Sequence, residues 1–350
     1  MSNIIKKRIG IGIIKIVCFI LIFLVGNKCL EIVLLPYFGD DSHQNEQFYD
    51  VEKDSVDVMF VGASSILRGF SANTLWESFG LTAEIRGSTS ATPFISYLNI
   101  KEGLRYQSPK VIVVGINAMF GEYNLDDDNM EGAMRRALDY RKITLEKIET
   151  INIIVENSEE QTRLSYLFPI LRYHDRWKEI SIDSIHENLD SDKYEFLHGQ
   201  RPRMEINVVE PRWGLMNKTE SIEVNELSKE YYDKIIKLCK DEGIELIFVA
   251  TPKEEWSLSK YEMINEYAEQ NDVEYIDFNF DDVLRECDIE WDKDFFDAGH
   301  LNAIGAEKIT LYLGEFIKNN YGIESEYSSE VKNKRNEDLK LYKEYLSEYF

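Results

Sequence analysis

The stretch Asp57-Val58-Met59-Phe60-Val61-Gly62-Ala63-Ser64-Ser65 decides the fold. Its centre is a short, unbroken apolar run, and it ends in small residues that suit a turn. A strand buried on both faces reads this way, because a parallel strand between two layers of helix has no side to leave polar. The same pattern recurs outward along the chain. Residues 82–85 predict a second short strand, and Val111-Ile112-Val113-Val114-Gly115, set off by Pro109, is the clearest of all. Residues 245–250, stopped by Pro252, and 273–276 complete the set. Between them, 75–79, 94–106, 227–239, 261–271 and 303–318 carry helical patterning, with Gly243 placed to close the third of these. Strands alternating with helices predict an α/β fold, a three-layer α/β/α sandwich around a parallel sheet.

The rhythm breaks between about 122 and 226. That segment predicts one long helical stretch over 130–149 and then irregular, aromatic, charged sequence, read as an insertion over the carboxyl edge of the sheet. The main domain thus runs from about 50 to 322. Residues 323–350 form a Glu/Lys/Tyr-rich tail with no clear apolar face, expected to be a solvated helix or disordered.

Composition narrows the function. The chain has 350 residues, 44% hydrophobic and 30% charged, which is enough apolar material for a real core. Lys plus Arg number 40 against 64 Asp plus Glu, a net charge of −24. Phosphate backbones are bound by displacing counterions with cations, so nucleic acid is a poor partner for this chain. The 4 cysteines, Cys18, Cys29, Cys239 and Cys287, form no C-x-x-C and no Cys–His cluster, which argues against a zinc site and a disulfide scaffold. No metal or other cofactor is expected. Asp126-Asp127-Asp128-Asn129 lacks the glycine and terminal glutamate of a calcium loop and reads as a solvated turn.

The first 40 residues are different. Lys6, Lys7 and Arg8 precede a run from Ile9 to Val25 that is apolar apart from Lys15, and acid follows at Asp40, Asp41, Glu46 and Asp50. Roughly 20 apolar residues cross a bilayer. One span within 9–35 fits, with the N-terminus cytoplasmic and the main domain outside, since cations stay on the inner side. A cleaved signal peptide is the rival reading, but no A-x-A-like site follows the run, which is also long for such a segment. A buried core helix would not explain the basic–apolar–acidic order.

Two groups of residues could carry chemistry. Ser64 lies just past the first strand, at the sheet edge where open α/β folds bind ligands. A serine there is either a nucleophile or a helix cap. Asp297-Ala298-Gly299-His300-Leu301-Asn302 places an acid three residues before a histidine, within reach of one tight turn. The carboxylate can hold the imidazole while its other nitrogen takes a proton from Ser64 and is expected to raise its pKa; the rival is an Asx cap beside an exposed histidine. In the insertion, His174, Arg176 and Trp177 combine basic and aromatic groups that suit a sugar or an anionic polymer, or else decorate a surface helix.

Gly62-Ala63-Ser64-Ser65 together with Asp297-x-x-His300-Leu-Asn-x-x-Gly-Ala resembles the SGNH/GDSL hydrolases, over about 57–118 and 227–318. The resemblance is greatest to their membrane-anchored bacterial branch, which includes the D-alanyl transfer protein of teichoic acid and the alginate O-acetylation proteins. It implies a flavodoxin-like SGNH fold, Ser64 as nucleophile, His300 as base and Asp297 as its partner. Two departures stand out. The family's second block supplies an oxyanion glycine; here Ser90 falls near that place, with Gly87 as the other candidate. The third block ends Gly-x-Asn-Asp, whereas Gly115-Ile116-Asn117-Ala118 keeps only the glycine and asparagine, making Asn117 an oxyanion donor or simply a turn cap.

The resemblance implies an extracytoplasmic serine acyltransferase or esterase working on acyl (acetyl or alanyl) esters of a cell-envelope polysaccharide or teichoic-acid-like polymer. A polytopic membrane O-acyltransferase is implied as partner. The rival is a catalytically weak protein of the same fold that binds or assembles envelope polysaccharide, favoured by the altered second and third blocks. A plain secreted lipase would want an apolar lid and no anchor.

Overall fold

The computed structural model describes residues 3–37, 43–190, 192–209, 218–253 and 256–349. Asp40 and Asp41, part of the acidic flank in the topology argument, lie outside the described residues. The chain opens with one helix, α1 (Asn3–Leu34), whose Lys7–Leu34 portion is long and apolar enough to cross a membrane. A short α2 (Gln44–Gln47) leads into the main domain.

The domain begins β1 (Val58–Gly62), α3 (Ser64–Gly69), α4 (Ala72–Phe79), β2 (Ala83–Gly87), α5 (Pro93–Gly103) and β3 (Val111–Gly115). The insertion follows as α6 (Asp128–Leu138), α7 (Leu145–Glu156), α8 (Arg163–Leu167), α9 (Ile170–Tyr173) and α10 (Ile182–Leu189). The sheet then resumes: α11 (Glu226–Glu242), β4 (Glu245–Ala250), α12 (Leu258–Asn271), β5 (Glu274–Asp277), α13 (Asp281–Glu286), the hairpin β6 (Phe295–Asp297) and β7 (His300–Leu301), α14 (Ala303–Tyr321) and α15 (Ser329–Ser347).

Five strands form one parallel sheet in the order β2-β1-β3-β4-β5. Alternate residues face opposite layers. Val58 and Phe60 join a core with α3, α4, α13 and α14. Met59 and Val61 join one with α5, α11 and α12. The three-layer α/β/α sandwich is therefore present. The strand order reverses direction at β1, between β2 and β3, and in sheets of this type the crevice at such a point receives ligands.

Three elements depart from the sequence reading. The stretch 130–149 is two helices, because Thr144 starts a new one by accepting the Lys147 N–H, while Arg141 turns inward to Glu102. The insertion builds its own core on α5, where Phe94, Ile95 and Leu98 meet Ala133, Met134, Leu138 and Ile151. The tail is helical but not solvated all round: α15 buries Val331, Arg335, Asp338 and Tyr342, one stripe at intervals of four, three and four residues. Two of these are charged, so the stripe carries no apolar signature. Arg335 donates to the Ala83 carbonyl and to Glu84 on edge strand β2, and Asp338 stands beside His198, which contacts Glu84 in turn.

Candidate active site

The turn after β1 and the hairpin β6–β7 bring the candidate residues together. Gly62 ends β1 and Ser64 begins α3, with Ala63 as N-cap. Ser64 is thus the first helical residue, and its hydroxyl does not cap the helix. Its Oγ lies 2.9 Å from His300 Nε2. On the other side of the ring, His300 Nδ1 is 2.8 and 3.0 Å from the two Asp297 oxygens. The Gly299 N–H also donates to Asp297 Oδ1, at 2.8 Å.

The protonation pattern follows from these contacts. Asp297 is held below the usual carboxylate range: burial works to raise it, but the Gly299 N–H, His300 and the Arg68 guanidinium outweigh that. An ionised carboxylate only accepts, so Nδ1 carries the ring proton and Nε2 accepts from the Ser64 hydroxyl. Asp297 pulls the His300 pKa up, as expected, but it does not set the net direction. Burial and the positive charge of Arg68, helped by Lys253, lower the pKa against that pull. A neutral imidazole facing a serine hydroxyl is the state a general base requires.

The local fold explains the motif around His300. Asp297 and His300 are paired across the β6–β7 hairpin, which sets their approach. Leu301 is buried in the core and anchors the hairpin. The Asn302 side chain caps α14 by accepting the Ile304 and Gly305 N–H groups and donates to the Lys293 carbonyl at 2.6 Å. A Cβ on Gly305 would sit 2.4 Å from the Asp294 carbonyl oxygen, so glycine is needed there. The whole Asp-x-x-His-Leu-Asn-x-x-Gly run is one device for holding an imidazole over Ser64.

The other expected site residues fall in different places. Gly87 ends β2 opposite Gly62, and a Cβ on it would lie 2.3 Å from the Gly62 carbonyl oxygen; it permits close strand approach beside the Ser64 loop. Ser90 is exposed in the loop after β2 with φ 60°, a left-handed conformation that glycine adopts more readily. Asn117 follows β3, but its carboxamide is engaged across the sheet edge. Oδ1 accepts the Thr251 N–H at 3.2 Å, and Nδ2 lies 3.4 Å from the Thr251 carbonyl.

His174, Arg176 and Trp177 occupy a 3₁₀ turn packed on α9 and α1 instead of the Ser64 loop. Arg176 donates to the Leu34 carbonyl at 2.8 Å and to Glu179 at 2.9 Å, so its charge serves the end of α1. His174 bonds the Leu171 carbonyl at 3.0 Å.

Sequence reasoning missed several groups. Asn279, after β5, donates to the Thr251 carbonyl at 3.2 Å and accepts the Lys253 N–H at 2.8 Å, stitching two site loops together. Arg68 and Arg203 lie 5.7 and 5.1 Å from the centre of the Phe296 ring, next to Asp297. With Lys253 they make the site locally positive in a protein of net charge −24. Arg68 follows Ser64 by one helical turn, a spacing that could have flagged it. Among the described residues no cluster of His, Cys, Asp and Glu is arranged to hold a metal ion.

No protein-family model matches the chain, and no curated protein matches it in sequence. Among solved structures it is similar to the crystal structure of a protein from Bacteroides fragilis NCTC 9343, provisionally designated an acylhydrolase. The identity is 12% and the TM-score 0.39, covering 81% of this chain and 99% of that one.

Proposed function

We propose that the chain is an SGNH-type serine esterase or O-acyltransferase, anchored by α1 with its main domain outside the cytoplasm, acting on acyl esters of a cell-envelope polysaccharide or teichoic-acid-like polymer. The observation that carries this reading is the unbroken relay from Ser64 Oγ to His300 Nε2 at 2.9 Å and from Nδ1 to Asp297 at 2.8 Å. Ser64 Oγ attacks the acyl carbonyl carbon and passes its proton to His300 Nε2, while Asp297 stabilises the imidazolium. The C–O bond to the leaving group breaks, and Nε2 returns the proton to the departing oxygen. In the second half an acceptor hydroxyl, or water, gives its proton to Nε2, attacks the acyl-Ser64 carbon, and releases Ser64 Oγ, which takes the proton back.

The developing oxyanion needs N–H donors. The Ser64 amide opens α3, where helical geometry leaves donors without an intrahelical acceptor. The Ser90 amide is the second donor in this reading; a backbone N–H serves as well from serine as from glycine. Asn117 contributes through whatever part of its amide Thr251 does not hold. Arg68, Arg203 and Lys253 suit an anionic group on the polymer. A polytopic O-acyltransferase remains the proposed membrane partner.

Fluorophosphonate labelling of the full chain in membranes tests the reading. The label is expected on Ser64, lost in Ser64→Ala and retained in Ser65→Ala. Labelling that follows Ser65 overturns the register. A chain that resists the probe and also fails to hydrolyse aryl acetates supports a second reading, a binding or assembly protein of the same fold, which the engagement of Asn117 by Thr251 favours.

A further inference from the structure

The apolar helix does not simply hang from the domain. Its last turns are held by the insertion: Asn188 Nδ2 lies 3.0 Å from both the Ile32 and Leu35 carbonyls, Arg176 bonds Leu34, and Tyr140 donates to the Pro36 carbonyl at 3.2 Å. Leu34 and Leu35 pack against Tyr173, Tyr140 and Ile170. After Lys15, polar residues resume at Asn27, which donates to Glu31, and Lys28 pairs with Glu31 at 3.6 Å. Counting about 20 residues back from Asn27, the number that crosses the hydrocarbon, reaches Lys7. The boundary on the domain side therefore falls near Asn27, and 28–35 form a stalk above it.

Phe23 lies one helical turn inside that boundary. Its ring is 6.2 Å from Phe168, edge to face, so the junction of α8 and α9 reaches the level of the bilayer surface. Leu164 on α8 and Leu171 on α9 flank Phe168, where the backbone leaves helical geometry (φ −130°, ψ 81°) between the two short helices. Leu164 and Leu171 are 60% and 53% exposed. Trp177, on the next turn and beside the Arg176–Leu34 contact, is 63% exposed. The Lys178 ammonium lies 5.3 Å from the centre of the Trp177 ring, and tryptophan is the residue that favours the headgroup level.

We propose that the insertion is a second, monotopic membrane contact: Leu164, Phe168 and Leu171 enter the headgroup–acyl boundary around α1, with Trp177 among the headgroups. This rests on the membrane anchoring proposed above. The occupant is lipid, because Phe168 meets Phe23 and α9 packs against a helix that is apolar apart from Lys15 and exposed up to Val25. A stalk clamped to its domain, with that domain resting on the leaflet, holds the Ser64 site at a fixed height over the membrane.

The test uses the full chain in phosphatidylcholine–phosphatidylglycerol vesicles, with Leu164→Trp and Leu171→Trp made separately. Each added tryptophan is read as the difference from the parent chain, in plain lipid and in phosphatidylcholine brominated near the carbonyl end of its acyl chains. Residues seated in the boundary lose about half of that added emission to bromine, and the emission is blue-shifted. If the chain resists carbonate extraction but the added emission is unquenched and water-like, the anchor stands and the insertion contact is overturned. Blue-shifted but unquenched emission, with cross-linked dimers, assigns the face to a second copy and also overturns it. Extraction by carbonate removes the anchoring reading and this inference together.

Discussion

Two carboxylates, Glu102 and Asp297, each sit between a hydrogen-bond donor and a cation, yet they serve different ends. Glu102 on α5 is fully buried and saturated. It takes Arg86 at 2.8 Å, Arg141 at 2.6 Å, Tyr49 at 2.9 Å and Thr144 at 3.0 Å. Burial would raise its pKa, but Arg141 and Arg86 hold it down to about 2. These partners come from β2, the insertion and the segment after α1, so one carboxylate ties three parts of the chain together. Asp297 is 44% exposed and its histidine 23%. It has a partner whose far nitrogen is still free to exchange a proton with Ser64. A sealed, saturated cluster has only a structural use; an open, directional one can do chemistry.

The largest expected contrast lies in activity. Ser64→Ala and His300→Ala should each lower acyl-ester turnover by on the order of 10³-fold or more, and the double change should cost little beyond either, since the residues share one step. Asp297→Asn should cost less, because Asp297 orients the ring without bonding to substrate. Unfolding midpoints should stay near that of the parent, since these side chains are only half-buried, at the ends of α3, β6 and β7. Turnover surviving in His300→Ala would break the comparison from the catalytic side.

The sealed cluster should behave the other way. Glu102→Gln leaves Arg86 and Arg141 buried without their counter-charge, and losing one partner of such a pair costs about 3–5 kcal/mol. Denaturant unfolding reads this directly. Whatever protein remains folded should keep its kcat. The parent's acid sensitivity carries the same signature. A carboxylate depressed to about 2 contributes stability that is fully present above its ordinary 4.5 and is lost as pH falls towards 2. A Glu102→Gln chain as stable as the parent would mean that the cluster holds nothing.

The two regions also differed in how far they could be read from sequence. Strands β1 and β3 were legible because burial on both faces leaves continuous apolar runs. The Asp297–His300 pair was legible because its contact depends on short-range spacing. The Glu102 cluster was not, since Arg86, Glu102 and Arg141 look like ordinary surface residues until the fold places them together. Helix α15 escaped for a related reason: its buried stripe includes Arg335 and Asp338, whose partners Glu84 and His198 lie more than a hundred residues away. Arg176 was legible as a cation near aromatics, but its target, the Leu34 carbonyl, exists only once α1 is docked. Local period and local spacing are written in the chain, and long-range charge pairing is not.

The smallest effect is the sharpest test of the open site. Burial and Arg68 lower the His300 pKa from its ordinary 6.5, and Asp297 only partly opposes them. A general base works when deprotonated, so kcat/KM should rise with pH along a limb centred below 6.5 and be flat above it. The same shift favours the unfolded chain in acid: protons bind the unfolded histidine first, so the site's stability is intact above 6.5 and erodes as pH falls towards the depressed value. Arg68→Gln removes one of the two main causes and should move the limb upward in pH while leaving the plateau rate on a neutral aryl acetate nearly unchanged. A neutral ester is the right substrate, because an anionic one would confuse binding by Arg68 with its field on His300. Raising the salt concentration should move the parent's limb in the same direction and by no more, since mobile ions screen the guanidinium without removing it. If Arg68→Gln leaves the limb in place, the field at His300 is set by burial alone. If the limb moves downward, the relay from Asp297 through His300 to Ser64 is ordered differently from the way its distances imply.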